Sequence, residues 1–171
     1  MLQLSVSIYS VQIVSLRTSG IIASAERPII NPNNLKVEGW FCQDKFNKNS
    51  LILLVKDVRE VSKLGLLVDD YDVLTDPSEL IRLRDIIEIN YQVIGKQVVT
   101  DKRRKLGKIN DYAIDTNTFI IQKLYVTQPV YKTISGGYLS IDRQQIVEVS
   151  DSRITVRDTD EKVLSTAAAT A

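Results

Sequence analysis

The sequence predicts an all-β protein made of two small tandem β-barrels joined by a short α-helix. Short runs rich in branched and aromatic residues recur along the chain, two clusters of turn-forming residues lie 84 positions apart (115 − 31), and one stretch alone carries helix signals. With 171 residues, 44% apolar and 25% charged, the composition is that of a globular chain, long enough for two small cores. There is no histidine and one cysteine, Cys42. Histidine-based triads, an internal disulfide and a CxxC redox pair are thereby excluded, and a cytoplasmic setting is the expectation. A net charge of +1 is too small for bulk attraction to nucleic acid or membrane.

In residues 1–8, Leu2, Leu4, Val6 and Ile8 alternate with Gln3, Ser5 and Ser7. That period of two, with no basic leader before it, reads as a strand and not a signal peptide. The longest aliphatic run, residues 51–55, is strand-sized and far short of the roughly 20 residues of a membrane span, so no membrane insertion is expected.

Asn31-Pro32-Asn33-Asn34 and Asp115-Thr116-Asn117-Thr118 each separate two apolar runs and predict hairpins, because Asx side chains bond the local backbone and proline presets its angle. The offset they define aligns Ile29-Ile30 with Ala113-Ile114, and Trp40-Phe41-Cys42 with Leu124-Tyr125-Val126. With short gaps, 54–61 resembles 139–149 and 65–70 resembles 153–158. These matches imply an internal repeat, with a first unit over residues 1–75 and a second over 89–160. Between them, Asp76-Pro77-Ser78-Glu79 is a capping-box-like start, and Leu80, Leu83, Ile86 and Ile87 form one apolar stripe. Together these predict a connecting helix of about ten residues within 76–88. Residues 161–171, ending in STAAATA, carry no bulky anchor and read as a disordered tail.

The second copy runs Ile94-Gly95-Lys96-Gln97-Val98-Val99, Lys105-Leu106-Gly107-Lys108-Ile109-Asn110-Asp111, the 115–118 turn, the 119–126 strand and 146–156. This pattern resembles the PRC-barrel family, and the first copy resembles a diverged member that lacks the IGxxV and G-K elements. The resemblance implies small barrels of PRC type and a fold shared by members with unrelated roles, among them ribosome maturation and capping of a photosynthetic membrane complex. The chain is most similar to short bacterial members of unassigned role.

Lys102, Arg103, Arg104, Lys105 and Lys108 place five bases in seven residues at a predicted turn. They are the candidate partner-binding residues, for an acidic protein face or RNA phosphates, and the same run also suits a solvated hairpin tip. Asp69-Asp70-Tyr71-Asp72 lacks the glycine and glutamate of a calcium loop and reads as a polar strand exit. Trp40 and Cys42 should share a buried face opposite Phe41. Gly65, Gly95, Gly107 and Gly136-Gly137 read as turn residues; neither GxGxxG nor GxxxxGK[ST] occurs. With no metal, cofactor or catalytic motif, the expectation is a non-catalytic binding or scaffold protein acting through protein contacts. RNA association through the 102–108 turn is the alternative, and homo-oligomers are compatible with either.

Overall fold

A computed structural model describes residues 1–129 and 137–158. The first strands are β1 (Leu2–Leu4), β2 (Val11–Ser15), β3 (Ile21–Asn31), β4 (Lys36–Asp44), β5 (Ser50–Leu54), β6 (Val58–Ser62), β7 (Gly65–Val68) and β8 (Leu74–Thr75). The one α-helix among the described residues, α1 (Arg84–Ile89), precedes β9 (Gln97–Thr100), β10 (Lys105–Asp115), β11 (Ile120–Thr127), β12 (Tyr138–Asp142), β13 (Ile146–Val149) and β14 (Arg153–Val156). The protein is all-β.

The chain divides into two compact units. Unit one comprises residues 1–92 and 113–122; unit two comprises 93–112 and the described residues from 123 on. In unit one the order β6-β7-β2-β3-β4-β5-β8 is antiparallel except for the parallel pair β2 and β7. In unit two the order is β13-β14-β9-β10-β11-β12, with β14 and β9 the parallel pair.

The repeat is visible strand by strand. β10 begins and ends 84 residues after β3, and β11 begins 84 after β4. From β5 on, the offset is 88 (138 − 50, 146 − 58, 153 − 65), so the second copy carries four more residues in sequence from the start of β11 to the start of β12 than the first does from the start of β4 to the start of β5. Irregularities repeat as well. The register shifts between Val58 and Glu60 and again between Ile146 and Glu148, 88 residues on. Leu35 and Phe119 both have left-handed φ, 53° and 56°, and each N–H closes its hairpin on the carbonyl of Asn31 or Asp115 at 2.8 and 2.7 Å. Both predicted hairpins form as their Asx chemistry requires.

Two tandem barrels joined by a helix do not form. Among the described residues no pairing links β6 back to β8, or β13 back to β12, so the sheet of each unit stays open. The edge strands β6 and β13 carry the repeated register shifts, which bend a strand away and end its pairing. The connector also differs from the ten-residue helix expected. Asp76 does cap, accepting the Ser78 N–H at 2.8 Å, but a 3₁₀ turn at Pro77–Glu79 and another at Ile81–Leu83 precede α1. Leu80, at φ −92° and ψ 63°, leaves helical space between them. A segment this short is marginal as a helix by itself, so what surrounds it decides where it breaks. The predicted first strand is only three residues long, interrupted by a 3₁₀ turn at Ser5–Ser7.

Trp40, Ile13, Leu53 and Leu66 are fully buried in unit one, as are Val98, Leu124 and Val126 in unit two. Trp40 donates Nε1–H to the Ile8 carbonyl at 2.9 Å, and its ring meets Phe119 edge-on at 5.7 Å. Cys42 shares the buried face, while Phe41 faces away and carries the Arg27 guanidinium 4.2 Å above its ring. Burial pushes the Cys42 thiol up to about 12. Gly107 is not a turn residue: it lies inside β10, where a Cβ would stand 2.1 Å from the Thr127 carbonyl oxygen at φ 149°. The predicted tail (161–171) and Gly136 lie outside the described residues.

Candidate basic turn and grooves

The basic residues surround the turn between β9 and β10. Thr100 donates its N–H to the Arg104 carbonyl at 2.9 Å, Arg103 returns an N–H to the Thr100 carbonyl at 2.8 Å, and Arg104 N–H reaches Thr100 Oγ1 at 3.1 Å. Arg103 sits at φ 65°, the conformation that closes so tight a turn. Lys102, Arg103, Arg104, Lys105 and Lys108 are all exposed.

Lys102 and Arg104 share one carboxylate. Asp158, whose side chain is only 8% exposed, holds Arg104 Nη2 at 2.5 Å and Lys102 Nζ at 3.6 Å, and its N–H bonds Asp101 Oδ1 at 3.0 Å. Unit one has the same latch: Arg17 Nη1 meets Asp70 Oδ2 at 2.9 Å, and Ser15 Oγ donates to Asp70 Oδ1 at 3.2 Å. Arg17 and Lys102 sit at the same step past their strands, and Asp70 and Asp158 are 88 apart (158 − 70). In both units an anion at the end of the parallel strand fastens the turn of its neighbour. The alignment of 65–70 with 153–158 already pairs these two aspartates; their reach back to the turn has no signal in the sequence.

The acidic run is likewise used locally. Asp69 forms a bidentate pair with Arg59, which holds its carboxyl below the usual range. The Tyr71 N–H and then Arg17 and Ser15 do the same for Asp70. Tyr71 gives its hydroxyl to Asp44 Oδ2 at 2.5 Å, holding the buried Asp44 carboxyl low and raising the phenol. Among the described residues no three Asp, Glu or Cys side chains gather as metal ligands would.

Sequence reading misses three grooves. One, in unit one, encloses about 500 Å³ between Val6, Ser7, Val11, Ser62, Lys63 and Leu64. Val6 and Leu64 are 70% and 71% exposed. The other two lie one in each unit: beside β3 and β4, at about 490 Å³, and beside β10 and β11, at about 580 Å³. Each draws on segments distant in sequence, a juxtaposition that no local pattern signals. No family model matches the chain, and no curated protein matches its sequence. Among the described residues no helix is long and apolar enough to cross a membrane.

Proposed function

We propose that this chain is a non-catalytic binding or scaffold module of the cytoplasm, built from two PRC-barrel-like units and acting through protein contacts. The observation that carries the reading is the groove of unit one, where Val6 and Leu64 leave apolar surface in water on either side of a depression. Contiguous exposed apolar surface marks protein interaction sites, and these two side chains line one groove. The absence of histidine from the sequence fits a non-catalytic role, since no motif groups the remaining ionisable residues.

The test is affinity purification of the tagged chain after nuclease treatment, beside a Val6→Ser/Leu64→Ser variant. A stoichiometric protein recovered by the parent and lost from the variant supports the reading. Recovery of no such protein, or equal recovery by both chains, overturns it. A second reading, RNA association, draws on the exposure of Arg103, Lys105 and Lys108 along the basic turn. It requires salt-dependent RNA retention by the parent that disappears when Lys102, Arg103, Arg104 and Lys105 are reversed in charge.

A further inference from the structure

The two units carry the same groove at the same positions of the repeat. Ile21, Ala23, Ser24, Gln43, Asp44 and Lys45 line it in unit one. The residues 84 further on, Lys105, Gly107, Lys108, Thr127, Gln128 and Pro129, line it in unit two. The repeat preserves the cavity and changes its charge. In unit one the carboxylate is Asp44, fully committed to the Tyr71 hydroxyl, the Phe46 N–H at 2.8 Å and the Asn47 amide at 3.2 Å. In unit two a glutamine replaces that acid, and lysines replace Ile21 and Ser24.

Lys105 and Lys108 are three residues apart in β10, and strict alternation would send them to opposite faces. The register shift between Lys105 and Gly107 inserts the extra residue that re-aims one of them. Both then line one groove, whose described lining residues include these two lysines and the amides of Asn110 and Gln128 and, among the described residues, no acid.

We propose that the groove beside β10 and β11 binds an extended acidic segment of a partner protein, with partner carboxylates on Lys105 and Lys108 and partner main chain on the amides of Asn110 and Gln128. Charge complementarity sets the sign of the partner and its on-rate. Among the described residues that line it there is no aromatic ring, so those residues offer no platform for the stacked bases of single-stranded RNA. This inference rests on the protein-contact reading and names the partner chemistry of a second surface.

Fluorescence anisotropy on the full chain tests it, with three labelled probes: a peptide of alternating glutamate and serine, its glutamine–serine counterpart, and an oligouridylate. The expected result is binding of the acidic peptide and not of the neutral one. Lys105→Glu/Lys108→Glu should weaken it by about tenfold or more, with a smaller loss in Lys105→Gln/Lys108→Gln. Lys45→Glu/Lys48→Glu, at the related groove of unit one, should leave it within about twofold. Failure of the parent to bind the acidic peptide overturns the proposal, as does parent-like binding by both lysine variants or tighter binding of oligouridylate than of peptide. The two proposals fail separately: a partner protein lost from Val6→Ser/Leu64→Ser but kept by Lys105→Glu/Lys108→Glu overturns this site and leaves the protein-contact reading standing.

Discussion

Gly107 and Trp40 show how much single side chains decide here. A methyl group on Gly107 would meet the Thr127 carbonyl at 2.1 Å, on a backbone at φ 149°. Gly107→Ala is therefore expected to cost about 2 kcal/mol or more, read as a lower midpoint in urea with an unchanged slope. Sequence alone marks this glycine as a turn residue, because a close approach between strands leaves no local signature. Trp40 is legible as core, yet its bond to the Ile8 carbonyl 32 residues away is not. Trp40→Phe should cost about 1–3 kcal/mol, since it strands that carbonyl in the interior. Cys42 is buried with its thiol pushed up to about 12, well above neutral pH. It should stay unreactive toward a disulfide reagent at about pH 8 in the native chain and react fully once unfolded.

Among the elements, the hairpins are readable because their chemistry is local: Asn31 and Asp115 bond the backbone two residues on, at 3.0 and 2.9 Å. The connector departs from its expected helix for the opposite reason. Its cap and apolar stripe are present, but whether Leu80 stays helical depends on what surrounds it, and the segment breaks into turns. The second hairpin also does more than turn. Its tip belongs to unit one, where Val37 donates to the Phe119 carbonyl at 2.8 Å and Ile121 to that of Leu35 at 3.0 Å. Phe119 is buried there against Trp40. Phe119→Ala should cost about 3–5 kcal/mol, measured by thermal unfolding followed through Trp40 fluorescence.

At the scale of the molecule, that hairpin makes the first unit discontinuous in sequence. A fragment of residues 1–92 lacks 113–122 and so lacks the ring against Trp40 and the partners of Leu35 and Val37. It should show poorly dispersed amide resonances, while the full chain shows a folded spectrum. A second whole-molecule property is acid sensitivity. Asp44, Asp69, Asp70 and Asp115 are all held low, by the Tyr71 hydroxyl, Arg59, the Tyr71 N–H and the Asn117 N–H first in each case. A carboxyl with a lowered folded-state value stabilises above its unfolded value of about 3.9 and loses that contribution as pH falls through the folded one. The melting temperature should therefore stay nearly flat from about pH 7 to 5 and fall below about pH 4.

By itself the sequence determined the all-β class, the 84-residue repeat, both hairpins and the buried face of Trp40 and Cys42, because periodicity, turn chemistry and apolar pattern act over a few residues. Tertiary structure alone decided that the sheets stay open, that Ala113–Gln122 joins the first unit, and that a bulge turns Lys105 and Lys108 into one groove. Those outcomes depend on strand register and on which distant edges meet. Register is set by the packing of a whole face, and a basic run shows its charge in the sequence but not the cavity it lines.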